Sequence, residues 1–364
     1  MGFLNSEWTK MDIVNLENEA VLLLERLLEI PRTSRDEGKA ADLLQDFMAG
    51  RYGLETRRHG CNLWALAPNY DPSRKTLLLN AHIDTVKPVA GWTFEPFSAT
   101  RVGDRIYGLG SNDDGASLVT LLQVFRHLCN TTQAYNLAFL ASCEEEVSGK
   151  SGLESVLPLL PPVDTALVGE PTCMQPAVAE KGLMVLDVTE HGRSGHAARD
   201  EGDNAIYKAM RDMEWFRSHR LEKVSPLLGA VKMTVTMVNA GTQHNVIPDT
   251  CTFTVDIRSN ECYTNRELFS LICPCIEGEA KARSFRLNSS KIDPSHPIVR
   301  RLTAMGKVPF GSPTLSDQAL MPFPSLKMGP GDSSRSHTAD EYVCIPEIRG
   351  AIEDYITLLD GLRL

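Results

Sequence analysis

The chain has 364 residues with 42% hydrophobic, 23% charged and 7% aromatic content, an ordinary globular usage that excludes disordered, collagen-like and coiled-coil classes. Its 37 basic and 47 acidic residues leave a net charge of −10, so neither nucleic acid nor an anionic membrane surface is an expected partner. The length suits about two to two and a half domains.

No stretch approaches the ~20 apolar residues that span a membrane. The most apolar early segment, residues 20–30, is broken by Glu25 and Arg26 and reads as an amphipathic helix. The N-terminus lacks a basic region followed by an apolar core, so a cytoplasmic location is expected. Met1-Gly2 with Ser6 fits the loose N-myristoylation pattern, which chance often matches. The nine Cys are an odd number and scattered, the closest pair being Cys273-Pro274-Cys275. That is neither a disulfide framework nor a zinc ribbon, and it leaves any metal to His and carboxylates.

In chain order, residues 11–50 read as helical, with apolar positions including Val14, Leu22, Leu23, Leu27, Leu43, Leu44 and Phe47. Apolar runs at 76–81 (TLLLNA), 136–141 (NLAFLA) and 165–168 (TALV) read as buried strands. Between the first two, residues 116–128 place Val119, Leu122 and Phe125 on one helix face. Strand–helix alternation with non-alternating apolar strands predicts an α/β class fold: a mixed, mostly parallel sheet flanked by helices.

The middle of the chain has a different order. Strands are predicted at 183–189, 231–238, 251–258 and 283–287, with helices at 204–217 and 265–276. This β-α-β-β-α-β order is that of a ferredoxin-like unit. Residues 309–330 are rich in Pro and Ser, and 346–362 read as a closing helix. The expected organisation is a main domain in two parts, 1–180 and 291–364, with a ferredoxin-like domain of residues 181–290 inserted.

Each strand of the main domain runs into chemistry. TLLLNA leads into His82-Ile83-Asp84, NLAFLA into Glu144-Glu145-Glu146, and TALV into Gly169-Glu170. Asp113-Asp114 precedes the 116–128 helix, and His337 follows the Gly- and Ser-rich GPGDSSRS. Singly, these have plain readings: filler for His-x-Asp, a solvated face for the glutamates, an N-cap for Asp-Asp. Gly108-Leu109-Gly110 is no dinucleotide fingerprint, because its third glycine falls at Gly115 and no phosphate-cradling pattern follows a first strand. Convergence changes the weighing. Ligand crevices in open α/β sheets lie outside the carboxyl ends of the strands, and so many carboxylates at one edge are costly unless cations are held there.

Two His and at least three carboxylates without Cys suit Zn²⁺, Co²⁺ or Mn²⁺. The count exceeds one tetrahedral site and fits two metals sharing a carboxylate. Asp84 is the expected partner of the second ring nitrogen of His82.

The stretches AHIDTV (81–86), GLGSNDDG (108–115), EEEVSG (144–149), GEPT (169–172), GRSGHAA (192–198), NVIPD (245–249), DIR (256–258) and GPGDSSRSHTADE (329–341) together resemble the acetylornithine deacetylases, succinyl-diaminopimelate desuccinylases and related aminoacylases, the two-zinc amidohydrolases. They lie in the right order over nearly the whole chain. The resemblance implies a catalytic α/β domain with an inserted ferredoxin-like domain that forms a homodimer. It also implies two divalent ions per chain, Zn²⁺ with Co²⁺ as substitute. His82 and Glu170 would hold one, Glu146 and His337 the other, and Asp113 would bridge them. Glu145 is implied as general base and His196 as an oxyanion donor acting across the dimer, and Asp84, the expected partner of His82, is counted with them among the catalytic residues. Asn245 and Arg258 would engage substrate polar groups, and Gly331 would line the pocket.

Two departures stand out. Asp113-Asp114-Gly115-Ala116 lacks the Lys common in relatives, which is not a ligand, and Ala197-Ala198 replaces a small hydroxyl pair after His196. The implied reaction is hydrolysis of a small N-acyl amino acid, with N-acetyl- or N-succinyl-ornithine or citrulline (arginine biosynthesis) foremost. Within the same fold the alternatives are an N-acyl-lysine deacylase, a succinyl-diaminopimelate desuccinylase or a dipeptidase. An inactive metal-binding scaffold is the non-enzyme alternative, disfavoured by the base beside the ligand.

Overall fold

The computed structural model describes residues 10–199 and 201–364. Met1, Gly2 and Ser6 of the myristoylation pattern lie outside the described residues. Among the described residues, no helix is long and apolar enough to cross a membrane.

The chain divides into two compact units. The first comprises Met1–Val178, Ile292–Phe310 and Ser316–Leu364, and the second Ala179–Lys291 with Gly311–Leu315. The short 311–315 segment therefore groups with the second unit although the chain on either side belongs to the first.

The first unit is built on a mixed sheet. Its strands run in the order Thr56–His59, Asn62–Leu66, Asn136–Ser142, Thr76–His82, Thr165–Val168 and Ser325–Lys327, with Lys327 opposite Ala177 at the far side. The three predicted apolar runs lie side by side and parallel, and Ser325–Lys327 extends them in the same sense. Every residue of Thr76–His82 and Asn136–Ser142 is buried, as expected of strands covered on both faces. On one face, the Ala116–Leu128 helix packs on Thr76–His82 and against the Lys10–Leu28 and Ile345–Leu359 helices. On the other, Trp64, Leu78, Leu140 and Ala166 meet Leu153 and Val156.

Residues 11–50 are not one helix. Lys10–Leu28 ends before Pro31, and a second helix starts at Gly38. Proline disfavours helix at the residue before it, and the intervening segment carries Arg32 into the interior.

The second unit has four antiparallel strands in the order Lys232–Ala240, Thr250–Ser259, Gly182–His191 and Glu279–Ala282. Gly182–His191 alternates buried and half-buried residues, so Met184, Leu186 and Val188 face a core closed by Phe216, Phe253, Leu268 and Ile272. The helix Ala205–Ser218 is capped by the Asn204 side chain, and Asn265–Ile272 by a Thr264–Glu267 capping box. That second helix tightens at Cys273–Cys275, where Pro274 has no N–H to continue it.

The last strand departs from expectation. It is Glu279–Ala282, not 283–287. EAKA has poor strand propensity, but the Asp212 carboxylate accepts the N–H groups of Glu277 and Gly278 and launches the chain into register beside Gly182–His191. Tertiary context overrides the β-propensity of the Phe285 region.

Candidate metal centre

The donors gather at the carboxyl ends of the parallel strands of the first unit. His82 ends its strand, fully buried, and Glu145-Glu146 begin a short turn just beyond Asn136–Ser142. Asp113 enters from the segment before the Ala116–Leu128 helix, and His337 from the loop after Ser333–Arg335. One donor atom each of His82, Asp113 and Glu146 lie within 4.8 Å of one another, as do those of His82, Glu145 and Glu170.

Asp113 stands between the two histidines. Its Oδ1 is 3.2 Å from His82 Nε2, and its Oδ2 is 3.6 Å from His337 Nε2. His337 Nε2 also meets the Glu146 carboxylate at 3.1 Å. One carboxylate thus presents separate oxygens to two donor pairs.

Asp84 partners the His82 ring as expected, but through its main chain. The second ring nitrogen of His82, Nδ1, is 2.9 Å from the Asp84 main-chain carbonyl but 3.6 Å from its carboxylate. The carboxylate instead accepts the N–H groups of Glu145 and Glu146 and the Ser34 hydroxyl. The residue is the right neighbour, but the His82 ring is oriented by the carbonyl, while the carboxylate holds the glutamate turn.

The electrostatics follow from crowding. Burial pushes the Glu145 and Glu170 carboxyls well above the usual range, and neighbouring carboxylates add to the effect. Burial works against the charged form of His82, but Asp113 and Asp84 outweigh it and raise its pKa. Hydrogen bonding to Glu146 lifts His337 to about 9. A cation held here would offset this crowding of carboxylates, and the donor set of histidine nitrogens and carboxylate oxygens is of a kind that holds divalent metal.

Several site residues were not found from sequence. Asp317 is buried and accepts from Asn80 and Ser142, and Glu145 feels its charge. Lys327 is buried and opposes the upward shift of Glu170. Arg32 and Glu341 flank the Asp113 segment. Of these, only Glu341 lay within a matched stretch, ADE after His337.

Gly331 has φ +83°, and a Cβ there would lie 2.2 Å from the Asn112 side-chain oxygen. Asn112 in turn bonds the Asp332 main chain in both directions, so glycine lets this loop close on the segment bearing Asp113.

The remaining predicted residues belong to the second unit. His196 is exposed on the Gly195–His196 strand, which pairs with Val246–Ile247. Its Nδ1 accepts the Ala198 N–H at 3.1 Å, so the neutral ring carries its proton on Nε2. Asn245 lies beside it, its carbonyl accepting the Ala197 N–H, with the side chain exposed. Arg258 is held in a two-pronged pairing by Asp256 at 2.8 and 3.1 Å.

A cluster of histidines and carboxylates at the strand ends of an α/β sheet, with His82 buried and His337 half exposed at its rim, is the architecture of a metal-dependent hydrolase. Residues 78–360 match the model of peptidase family M20/M25/M40, and the chain belongs to that family of hydrolases. The family is typically dependent on a dinuclear metal centre. Relatives include a succinyl-diaminopimelate desuccinylase of Corynebacterium glutamicum, 28% identical over 365 residues and covering 92% of this chain and 94% of the relative. An acetylornithine deacetylase of Pectobacterium carotovorum is 29% identical over 289 residues, 73% of this chain and 75% of the relative. The fold is shared with the aminopeptidase PepT of Bacillus cereus, at a TM-score of 0.74 and 17% identity over 94% of this chain and 98% of that one.

Proposed function

We propose that the protein hydrolyses the amide bond of a small N-acyl amino acid, with N-acetyl- or N-succinyl-ornithine or citrulline as the preferred class. The single observation that carries the reading is the Glu145-Glu146 turn. Two adjacent glutamates are held by one carboxylate, Asp84; Glu146 points to His337, and Glu145 lies 3.9 Å from His82.

His82 and Glu170 would hold one divalent ion and Glu146 and His337 the other, with Asp113 shared; Zn²⁺ suits the set, and Co²⁺ is the natural substitute. When bound, such ions lower the pKa of water toward about 7 and polarise the scissile carbonyl. Glu145, in its ionised form, accepts the proton of the attacking water and returns it to the leaving amine nitrogen. His196 Nε2–H, contributed by a second copy of the chain in a homodimer, donates to the developing oxyanion. Arg258 and Asn245 bind substrate polar groups, and the Gly331 loop borders the pocket. The product pair is a free carboxylic acid and a free amino acid.

The test is a substrate panel on protein loaded with Zn²⁺ or Co²⁺: N-acetyl-ornithine, N-succinyl-ornithine, N-acetyl-citrulline, N-acetyl-lysine, succinyl-diaminopimelate and a dipeptide. The highest kcat/KM should fall on an ornithine or citrulline derivative. A clear preference for succinyl-diaminopimelate or the dipeptide would overturn that choice. Hydrolysis of none of them by fully loaded protein would favour a catalytically inactive scaffold.

A further inference from the structure

Two buried ionic side chains outside the donor set grip the same glycine residue. The N–H of Gly110 donates to Glu341 Oε2 at 2.9 Å, and its carbonyl accepts from Arg32 Nη2 at 2.9 Å. Arg32 and Glu341 are each only 2% exposed. Gly110 has φ +79°, and a Cβ there would lie 2.5 Å from the Arg32 guanidinium, so the close approach needs glycine.

Each residue reaches from this glycine toward the donors. Glu341 Oε1 accepts the N–H groups of Asn112 and Asp113 at 2.8 Å each. Glu341 lies four residues beyond His337, so it joins the His337 loop to the segment bearing Asp113. Arg32 Nε donates to the carbonyl of Ile83 at 2.8 Å, between His82 and Asp84, and Nη1 to Leu27 at the end of the first helix. The guanidinium is satisfied by three carbonyls, and its charge is compensated by Glu341, Asp84 and Asp114.

Burying such charges is expensive, and an apolar residue of similar volume would fill the space at lower cost. What the ionic pair adds is a fixed geometry. A guanidinium fork and a carboxylate lock three chain segments into one relative position, which apolar packing specifies far less closely.

We propose that Arg32 and Glu341 form a clamp on Gly110 that presets Asp113 against His82 and His337, and thereby sets the affinity of the metal position on the Glu146–His337 side. They are positioning residues, acting by tying the loop that carries His337 to the segment that bears Asp113. This rests on the metal assignment made above.

Glu341→Gln keeps size but turns one acceptor oxygen into a donor facing an N–H. Arg32→Lys keeps charge but loses the planar fork. Metal-free wild type and both variants would be titrated with Zn²⁺ against a chromophoric chelator. The visible absorption of the Co²⁺ forms and the circular dichroism of the metal-free proteins would be recorded alongside. In Glu341→Gln, the first ion should bind as in wild type, while the second binds about 10–100-fold more weakly with a changed Co²⁺ spectrum. Arg32→Lys should show the same selective loss; should that variant not fold, Glu341→Gln alone decides. Unchanged second-ion affinity and spectrum in folded Glu341→Gln would overturn the clamp, as would equal weakening of both ions. Wild type that takes up no ion would overturn the metal assignment and the clamp together, whereas two ions bound equally well by all three proteins would overturn the clamp alone.

Discussion

Asp84 accepts the main-chain N–H of Glu145 at 3.0 Å through one carboxylate oxygen, and that of Glu146 at 3.1 Å through the other. A single buried side chain thereby fixes where both glutamates leave the backbone. Charge-assisted hydrogen bonds of this kind orient a turn without occupying the reacting position.

The two glutamates should respond differently to substitution. Glu145→Gln removes a proton acceptor and should lower kcat by about 10²–10⁴-fold with both ions retained. Glu146→Gln should lower metal affinity as well, because its carboxylate meets His337. Steady-state kinetics with parallel metal analysis separates the cases. Near wild-type kcat in metal-loaded Glu145→Gln would remove it as the base.

Metal content should reach two divalent ions per chain after reconstitution, and His82→Ala should leave a single tight ion. Elemental analysis under zinc excess checks this. Saturation of wild type at one ion or none would contradict the bridging role of Asp113.

A pH effect belongs to the second unit. Burial beside Asp212 pushes the Glu190 carboxyl up to about 7 from an ordinary 4.5, with Glu277 adding repulsion and Lys208 opposing it. Below 4.5 the carboxyl is protonated in folded and unfolded chains alike. Above it, the unfolded chain ionises first, so the stabilisation is lost as pH rises through the window up to about 7. Thermal melts should show Tm falling across this window in wild type and falling less in Glu190→Gln. Parallel curves for the two proteins would sink the idea.

His196→Ala should reduce kcat by about 10²–10³-fold, the usual loss of one oxyanion donor, with KM less affected. Mixing Glu145→Gln with His196→Ala should restore activity, since random exchange in a dimer regenerates roughly a quarter of the sites. No recovery after verified subunit exchange would assign His196 a role within its own chain.

The strands and their terminal donors were readable because buried parallel strands write themselves as unbroken apolar runs, and the residue after such a run lands at the sheet edge. His82, Glu145, Glu146 and Glu170 were all visible this way. Arg32 was not, because its acceptors lie as far as 78 residues along the chain and a carbonyl leaves no trace in composition. Asp317 was hidden for a similar reason: Asn80 and Ser142, which justify its burial, sit in different strands. The strand at Glu279–Ala282 was misplaced because Asp212, on a distant helix, decides where the chain enters the sheet. Asp84 showed its neighbourhood but not its partner atom, since a main-chain carbonyl and a carboxylate of the same residue are one letter in the sequence.

Ser325–Lys327 lies between Thr165–Val168 and the Ala177 side of the sheet, so an interior strand leaves the ribosome long after the neighbours it pairs with. His337 emerges later still, 167 residues after Glu170 (337 − 170), a delay on the order of ten to thirty seconds at about 5–20 residues per second. The four-stranded sheet of the second unit, complete by Ala282, can meanwhile close. Throughout that interval the nascent chain displays a gap in its main sheet and a half-built cluster of unneutralised carboxylates. Premature capture of metal by the early donors, and invasion of the gap by a foreign strand, are hazards of synthesis that the finished molecule no longer shows.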